Sequence, residues 1–376
     1  MTEVTMRASG LVLGLVLAAA PMRAAAATIN VPDDQPTIQA AVDAAQSGDV
    51  IVVTKGAHGA FVVDGKSDLT IKGKGKPIVD GAGAASTVVT ISDSQDITLD
   101  GLVVQNSTTR LVDILASQDV TVRRCTFTAG EDGVRAHDGS ANVLIEKNSF
   151  TNIGNDAVDF TADETPSPAT NSRVEKNQFD GVGDDAIEVE GSGHVIEKNR
   201  IRDVAQSGII SEDDESHDIT FAKNRIENTA DTGILVDGTD HTVEKNTLKS
   251  VGTDDQEGIQ LLGSGHRVEK NKIDTTGDDG IDVEASDCEV VSNSVKNTRE
   301  DGFEVGEVDT PGQTTGNLFE RNKVTAAGGN GFHVLDTGNT FTRNKASNSD
   351  DFDVLDETTA GGNVYEKNKF PDAQIP

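Results

Sequence analysis

Ten times between residues 146 and 368 the chain returns to one short phrase, Val-Glu-Lys-Asn or a close variant. Its asparagines stand at Asn148, Asn177, Asn199, Asn224, Asn246, Asn271, Asn293, Asn322, Asn344 and Asn368. The steps between them are 29, 22, 25, 22, 25, 22, 29, 22 and 24 residues. A period in the twenties marks a solenoid, in which a unit buries its apolar face only against the units on either side. The repeat also runs upstream: "ITLDGLVV" at 97–104, "VTVRRCTF" at 120–127 and "VLIEKNSF" at 143–150 align at 23-residue steps.

Within each unit the apolar residues alternate, which is the period of a strand. An apolar residue stands three before each asparagine (Ile145, Val174, Ile196, Phe221 and onward) and another two after it (Phe150, Phe179, Ile201, Ile226 and onward, interrupted at Ala346). A second strand piece follows a Gly- and Asp-rich turn, as in "DGVRAH", "DAIEVE" and "DGIDVE". Two or three short strands per turn, bent at Gly and Asn, describe a coil whose backbone groups pair with the coils above and below. The asparagines fit the bends: a side-chain amide there bonds both neighbouring rungs, and Asn tolerates the left-handed backbone of a sharp bend.

On these repeats the chain resembles the right-handed parallel β-helix proteins of the pectate-lyase-like superfamily, over roughly residues 28–370. The opening "INVPDDQPTIQAAVDAAQSGDVIVV" is similar to that of many members. It reads as strand, amphipathic helix from about Pro36 to Gln46, and strand, with Ile38, Ala41, Val42 and Ala45 on one face. The resemblance implies an all-β, single-stranded parallel β-helix with an N-terminal capping helix that covers the open sheet edges. Residues 28–96 then form the cap and first coils, and 97–376 the repeats.

Residues 1–27 read as an export signal: Arg7, an apolar run from Leu11 to Ala20, and an Ala-rich cleavage site at Ala24 to Ala27. The run is too short to span a bilayer. A mature chain starting near Thr28, outside the cytoplasm, follows, either secreted or periplasmic and monomeric. Cys125 and Cys288 lie about seven rungs apart, too far for a disulfide, and read as small buried residues. The net charge of -32 excludes nucleic acid and anionic lipid as partners and favours divalent cations; halophilic adaptation fits it equally.

The acidity is unevenly placed. Beside the asparagines, Glu and Lys columns nearly cancel. At the other edge two clusters do not. One holds Asp156, Asp159, Asp184, Asp185 and Glu188, with Arg135 a rung away; the other holds Asp278, Asp279, Asp282, Asp301 and Glu304. Like charges one rung apart repel by about 0.9 kcal/mol even in water. The second cluster therefore suggests a Ca²⁺ site, set against plain turn chemistry for Asp before Gly-Ile. The first suggests catalysis, since adjacent rungs supply the two carboxylates a glycosidase needs.

"GNDAVDF" and "GDDAIEV" are similar to two boxes of the polygalacturonases, but the Gly-His-Gly and Arg-x-Lys boxes are missing. For a lyase or epimerase, which the resemblance also allows, the candidate bases are Arg135 and His137, opposite Asp159, then His333. His194, His241 and His266 share a column, where adjacent imidazoles suggest either a soft-metal site or a turn preference. The sequence thus points to an exported protein that binds, and as lyase, epimerase or hydrolase modifies, an extracellular polysaccharide. A non-catalytic acidic matrix or adhesion protein and a periplasmic accessory protein are the alternatives. Two insertions, "TADETPSPATNS" and "GEVDTPGQTTGN", are the expected groove walls.

Overall fold

A computed structural model describes residues 26–82, 86–162, 168–306, 312–359 and 361–376. The expected export signal, but for residues 26 and 27, and the centres of both insertions lie outside them. Among the described residues no helix is long and apolar enough to cross a membrane.

The chain winds into a right-handed parallel β-helix of about 14 turns. Each coil contributes to three sheets. The first, of 15 strands from Thr28–Val31 to Val364–Glu366, holds the pieces that end at the asparagines. The pieces after the asparagines, as far as Asn322, join a 12-stranded sheet that single bridges at Lys345 and Lys369 extend, and the Gly-Asp pieces form a third sheet of 14 strands, from Phe61–Asp64 to Ala373–Gln374. The alternating apolar columns point inward as expected, and Phe127, Phe150 and Phe179 stack at 4.8 Å, one ring per rung.

Nine of the ten asparagines are buried in the bend that follows the first strand of each coil, and the last, Asn368, is half-buried. Asn246 is representative. Its Oδ1 accepts the Asn224 N–H at 2.8 Å, and its Nδ2 donates to the Phe221 carbonyl at 2.8 Å. The left-handed residue of the bend is not the asparagine but the one before it: Lys147, Lys176, Lys198, Lys245 and Lys270 all have φ of 57–59°. This corrects the expectation. The exposed Lys takes the strained backbone, while the Asn turns inward where its amide saves backbone groups from being buried unpaired.

A second polar column stands five residues earlier. The Ser172, Ile219 and His241 N–H groups donate to Nδ1 of His194, His241 and His266, at 3.2, 3.1 and 3.2 Å. Each Nε2–H donates to a carbonyl in turn, of Glu190, Asp237 and Leu262. Both ring nitrogens are spoken for, so these histidines hold no metal. In later coils Asn317, Asn339 and Asn363 do the same work. Cys125 and Cys288 are free and buried, and burial pushes both thiols up to about 12.

The helix α1 spans Ile38–Ala44, capped by Thr37 Oγ1. It starts later than expected, leaving Pro36 outside the helix. Ile38, Ala41 and Val42 are buried against the first strands, and Gln39 accepts the Val62 N–H and donates to the Val62 carbonyl. A side chain thus satisfies the edge of the third sheet where no earlier coil exists.

Two outcomes test this account. Asn246→Leu strands the Asn224 N–H and the Phe221 carbonyl, at about 1–3 kcal/mol each, which a urea melt will show. Burial, then the His266 charge, depresses His241 to about 4. An unfolded histidine titrates near 6.5, so this group favours the fold fully above that pH and progressively less as pH falls toward 4. His241→Asn keeps the acceptor and removes the titration. Its stability relative to wild type should therefore rise by about 2 kcal/mol between pH 7 and pH 5, a difference in which the carboxylates common to both proteins cancel.

Candidate functional site

The solvent face of the third sheet carries one residue per rung. Arg135, Asp159, Glu188, Ile210, Leu235, Gln260, Asp282, Glu304 and His333 follow one another in register. The last expected member, Asp353, is displaced: Leu355 pairs with His333. Asp353 instead turns in to accept the Asp372 N–H.

The turn before each strand explains why Asp recurs. Asp156 Oδ1 accepts the Asp185 N–H (3.1 Å), Asp185 Oδ1 the Ser207 N–H (2.6 Å), and Asp279 Oδ1 the Asp301 N–H (2.7 Å), while Asp301 bonds Asn330. One oxygen of each is therefore turn chemistry, and of the second oxygens that of Asp156 accepts from Asn155 and that of Asp301 meets His333. The following glycine is fixed by contact: a Cβ on Gly280 would sit 2.2 Å from Val295 Cγ1 and 2.6 Å from the Gly302 carbonyl.

The first cluster is largely committed to itself. Asp159 pairs with Arg135 Nε at 3.0 Å, and its other oxygen accepts the Thr161 N–H and O–H at 2.7 Å. Burial raises the Asp159 carboxyl and Arg135 opposes it. His137 does not face Asp159 as expected; its Nε2 meets Asp113 at 3.1 Å, because strand register places them on neighbouring rungs. Burial, reinforced by neighbouring carboxylates, lifts Glu188 to about 8, Asp156 to about 7 and Asp185 to about 6, and raises Asp184. Donor oxygens of Asp156, Asp184 and Asp185 lie within 4.8 Å of one another.

The second cluster lines a cleft of about 520 Å³ that nine acidic side chains share with one base, His333. All five expected residues line it: Asp278, Asp279, Asp282, Asp301 and Glu304. Burial and the charges of Glu304 and Asp301 push Asp279 up to about 9. Asp282, 8% exposed, is raised by burial, then by Glu284 and Asp279. His333 Nδ1 meets Asp301 Oδ2 at 2.9 Å and Glu304 Oε2 at 3.4 Å, and Nε2 meets Glu357 at 3.1 Å. The bonds to Asp301 and Glu304 raise His333 to about 10. Calcium fits the carboxylate oxygens of this cleft, but it has no use for the imidazole nitrogen at its centre.

Glu257, Glu284 and Asn330 also line the cleft, and a search for doubled acids passes over them. Glu257 precedes Gly258 as Asp279 precedes Gly280, so alignment of the turns would have found it. Asn330 occupies the same turn position as Asp301. Glu284 becomes significant only when the end of its strand is seen to face Gln260, whose Nε2 lies 3.0 Å away.

No curated protein sequence matches the chain. Among solved structures it is similar to the catalytic unit of an α-1,3-glucanase from Streptomyces thermodiastaticus, at 17% identity and TM-score 0.62, covering 94% of this chain and 70% of that one. It is similar to the A-module of a mannuronan C-5 epimerase from Azotobacter vinelandii, at 14% identity and TM-score 0.63, covering 90% and 95%. It is also similar to a mannuronic acid specific family 6 polysaccharide lyase from human gut microbiota, at 14% identity and TM-score 0.64, covering 90% and 91%. Identities this low establish a shared fold. The family profile described as the right handed beta helix region matches residues 78–209 and 185–350. With the parallel coils observed, this establishes that the chain belongs to the right-handed β-helix family.

Proposed function

We propose that this protein is an exported glycoside hydrolase that acts on a neutral polysaccharide in the acid-lined cleft, rather than at the Arg135–Glu188 cluster. The observation that carries this reading is the side-by-side placement of two kinds of carboxyl group. Asp279 is buried and pushed up to about 9, so it holds its proton at neutral pH, and burial raises the Asp282 carboxyl well above the usual carboxylate range. Asp301 and Glu304 lie one rung on, hydrogen-bonded to the charged His333. Glycosidic cleavage needs that contrast: one carboxylic acid protonates the leaving oxygen, and a carboxylate opposite activates water and stabilises the oxocarbenium-like transition state. We assign the acid to Asp282, supported by Asp279, and the carboxylate role to Asp301 and Glu304.

The electrostatics separate the substrate classes. Nine acids against one base repel a uronate chain, and uronate elimination needs a free base. Arg135, the best candidate base, is held by Asp159. A neutral glycan meets no such repulsion, and Gln260 and Asn330 offer amides to its hydroxyls. Of the three similar structures, the glucanase is the one named for a neutral glycan. A bound cation belongs to this proposal as well, supported by the carboxylate oxygens that Asp278, Asp301 and Glu304 bring into one cleft. Export is supported by the sequence of residues 1–27.

The test is a panel of neutral glucans and fructans beside uronate polymers, scored for new reducing ends and for unsaturated uronate products. Reducing ends from a neutral polymer are expected, and Asp282→Asn should lower kcat by about 10²–10⁴. Arg135→Ala should lower stability by about 3–5 kcal/mol, by leaving the Asp159 charge buried and unpaired, yet keep activity in the folded fraction. Unsaturated products without hydrolysis, or loss of activity in folded Arg135→Ala, would move the chemistry to the first cluster.

A further inference from the structure

We infer that His333, Asp301 and Glu304 form a binding site for a first-row transition metal of the Zn²⁺ type, with Asp282 as a fourth donor. Three observations carry this. Donor atoms of the three residues lie within 4.8 Å of one another, on two consecutive rungs whose spacing is fixed by strand pairing. The His333 Nδ1 separations of 2.9 Å from Asp301 and 3.4 Å from Glu304 lie near the roughly 3.3–3.6 Å between ligand atoms of a tetrahedral ion bound at about 2.0–2.2 Å.

The second observation concerns the far side of the imidazole. Nε2 of His333 meets Glu357 at 3.1 Å. This is the carboxylate–histidine arrangement that fixes the tautomer and ring plane of a metal ligand, leaving Nδ1 to face the ion. The third concerns a buried oxygen. Asp282 stands one rung below Glu304 in register and lines the same cleft, and its Oδ1 is buried with no hydrogen-bond partner. A buried carboxyl oxygen left without a partner is costly; an ion between the two rungs would satisfy it.

Donor type selects the metal. Calcium takes oxygens alone, whereas an imidazole among carboxylates suits zinc and its neighbours. An ion here would displace the His333 proton and take Asp301, Glu304 and Asp282 from the hydrolytic roles assigned to them, so the metal-bound and hydrolytic states exclude one another; the test of the metal site needs no substrate. Full-length mature protein, stripped with chelator and dialysed into millimolar Ca²⁺, is titrated with Zn²⁺ by calorimetry, and bound metal is counted by elemental analysis.

One Zn²⁺ per chain is expected, not displaced by Ca²⁺. Affinity should fall about 100-fold or more in His333→Gln and about 10–100-fold in Glu357→Gln. Co²⁺ in place of Zn²⁺ should give a visible spectrum that His333→Gln changes. Glu357 is an exposed side chain, so its variant keeps the test open if His333→Gln fails to fold. No Zn²⁺ retained over Ca²⁺, or Zn²⁺ bound equally by wild type and Glu357→Gln with the same Co²⁺ spectrum, would overturn the inference.

Discussion

The fold depends on hydrogen bonding between rungs inside the bends, where strand pairing alone cannot reach. A parallel coil must turn sharply between its sheets, and each turn buries backbone groups that no strand partner meets. The asparagine column meets them, with each amide spanning its own rung and a neighbour. The His, Ser and Asn column near the other end of the same strands does so with different chemistry, and the Asp turns of the third sheet do so with carboxylates. Because every bend is bonded to the next, the coils hold register, and register places one outward residue above another at the spacing of a rung.

That regularity gives the site its unusual chemistry. A globular fold brings acidic groups together from distant loops; here they stack because adjacent coils carry similar turns. Repetition alone would leave a row of equal charges. The differences arise from burial and partners: Asp159 is held by Arg135 and Thr161, Asp279 and Asp282 are enclosed among other acids, and Asp301 and Glu304 share a histidine. One repeated phrase thus yields a structural ion pair in one place and buried carboxyls of raised proton affinity in another.

The aromatic and histidine stacks extend the argument to stability. Phe127, Phe150 and Phe179 fill one inward column, and His241 and His266 stack at 5.1 Å in another. Imidazole serves in that column only while it is neutral, because Nδ1 must accept and Nε2 must donate. The same residue type does the opposite in the cleft, where His333 is flanked by carboxylates and carries charge. Location on the inner or outer face of the coil decides which.

The sequence by itself determined the coil, its inward columns, the capping segment, and the two clusters of acid that break its charge balance. Those follow from period and alternation, which a linear chain displays directly. Tertiary structure decided what each charge does. It showed Lys rather than Asn in the left-handed position, both nitrogens of the histidine column engaged by backbone, and His137 facing Asp113. It also opened the cleft at Asp282 rather than Asp159. A reading along the chain sees which residues share a column, but burial and hydrogen-bond partners across rungs set proton affinity, and these exist only once the coils are stacked.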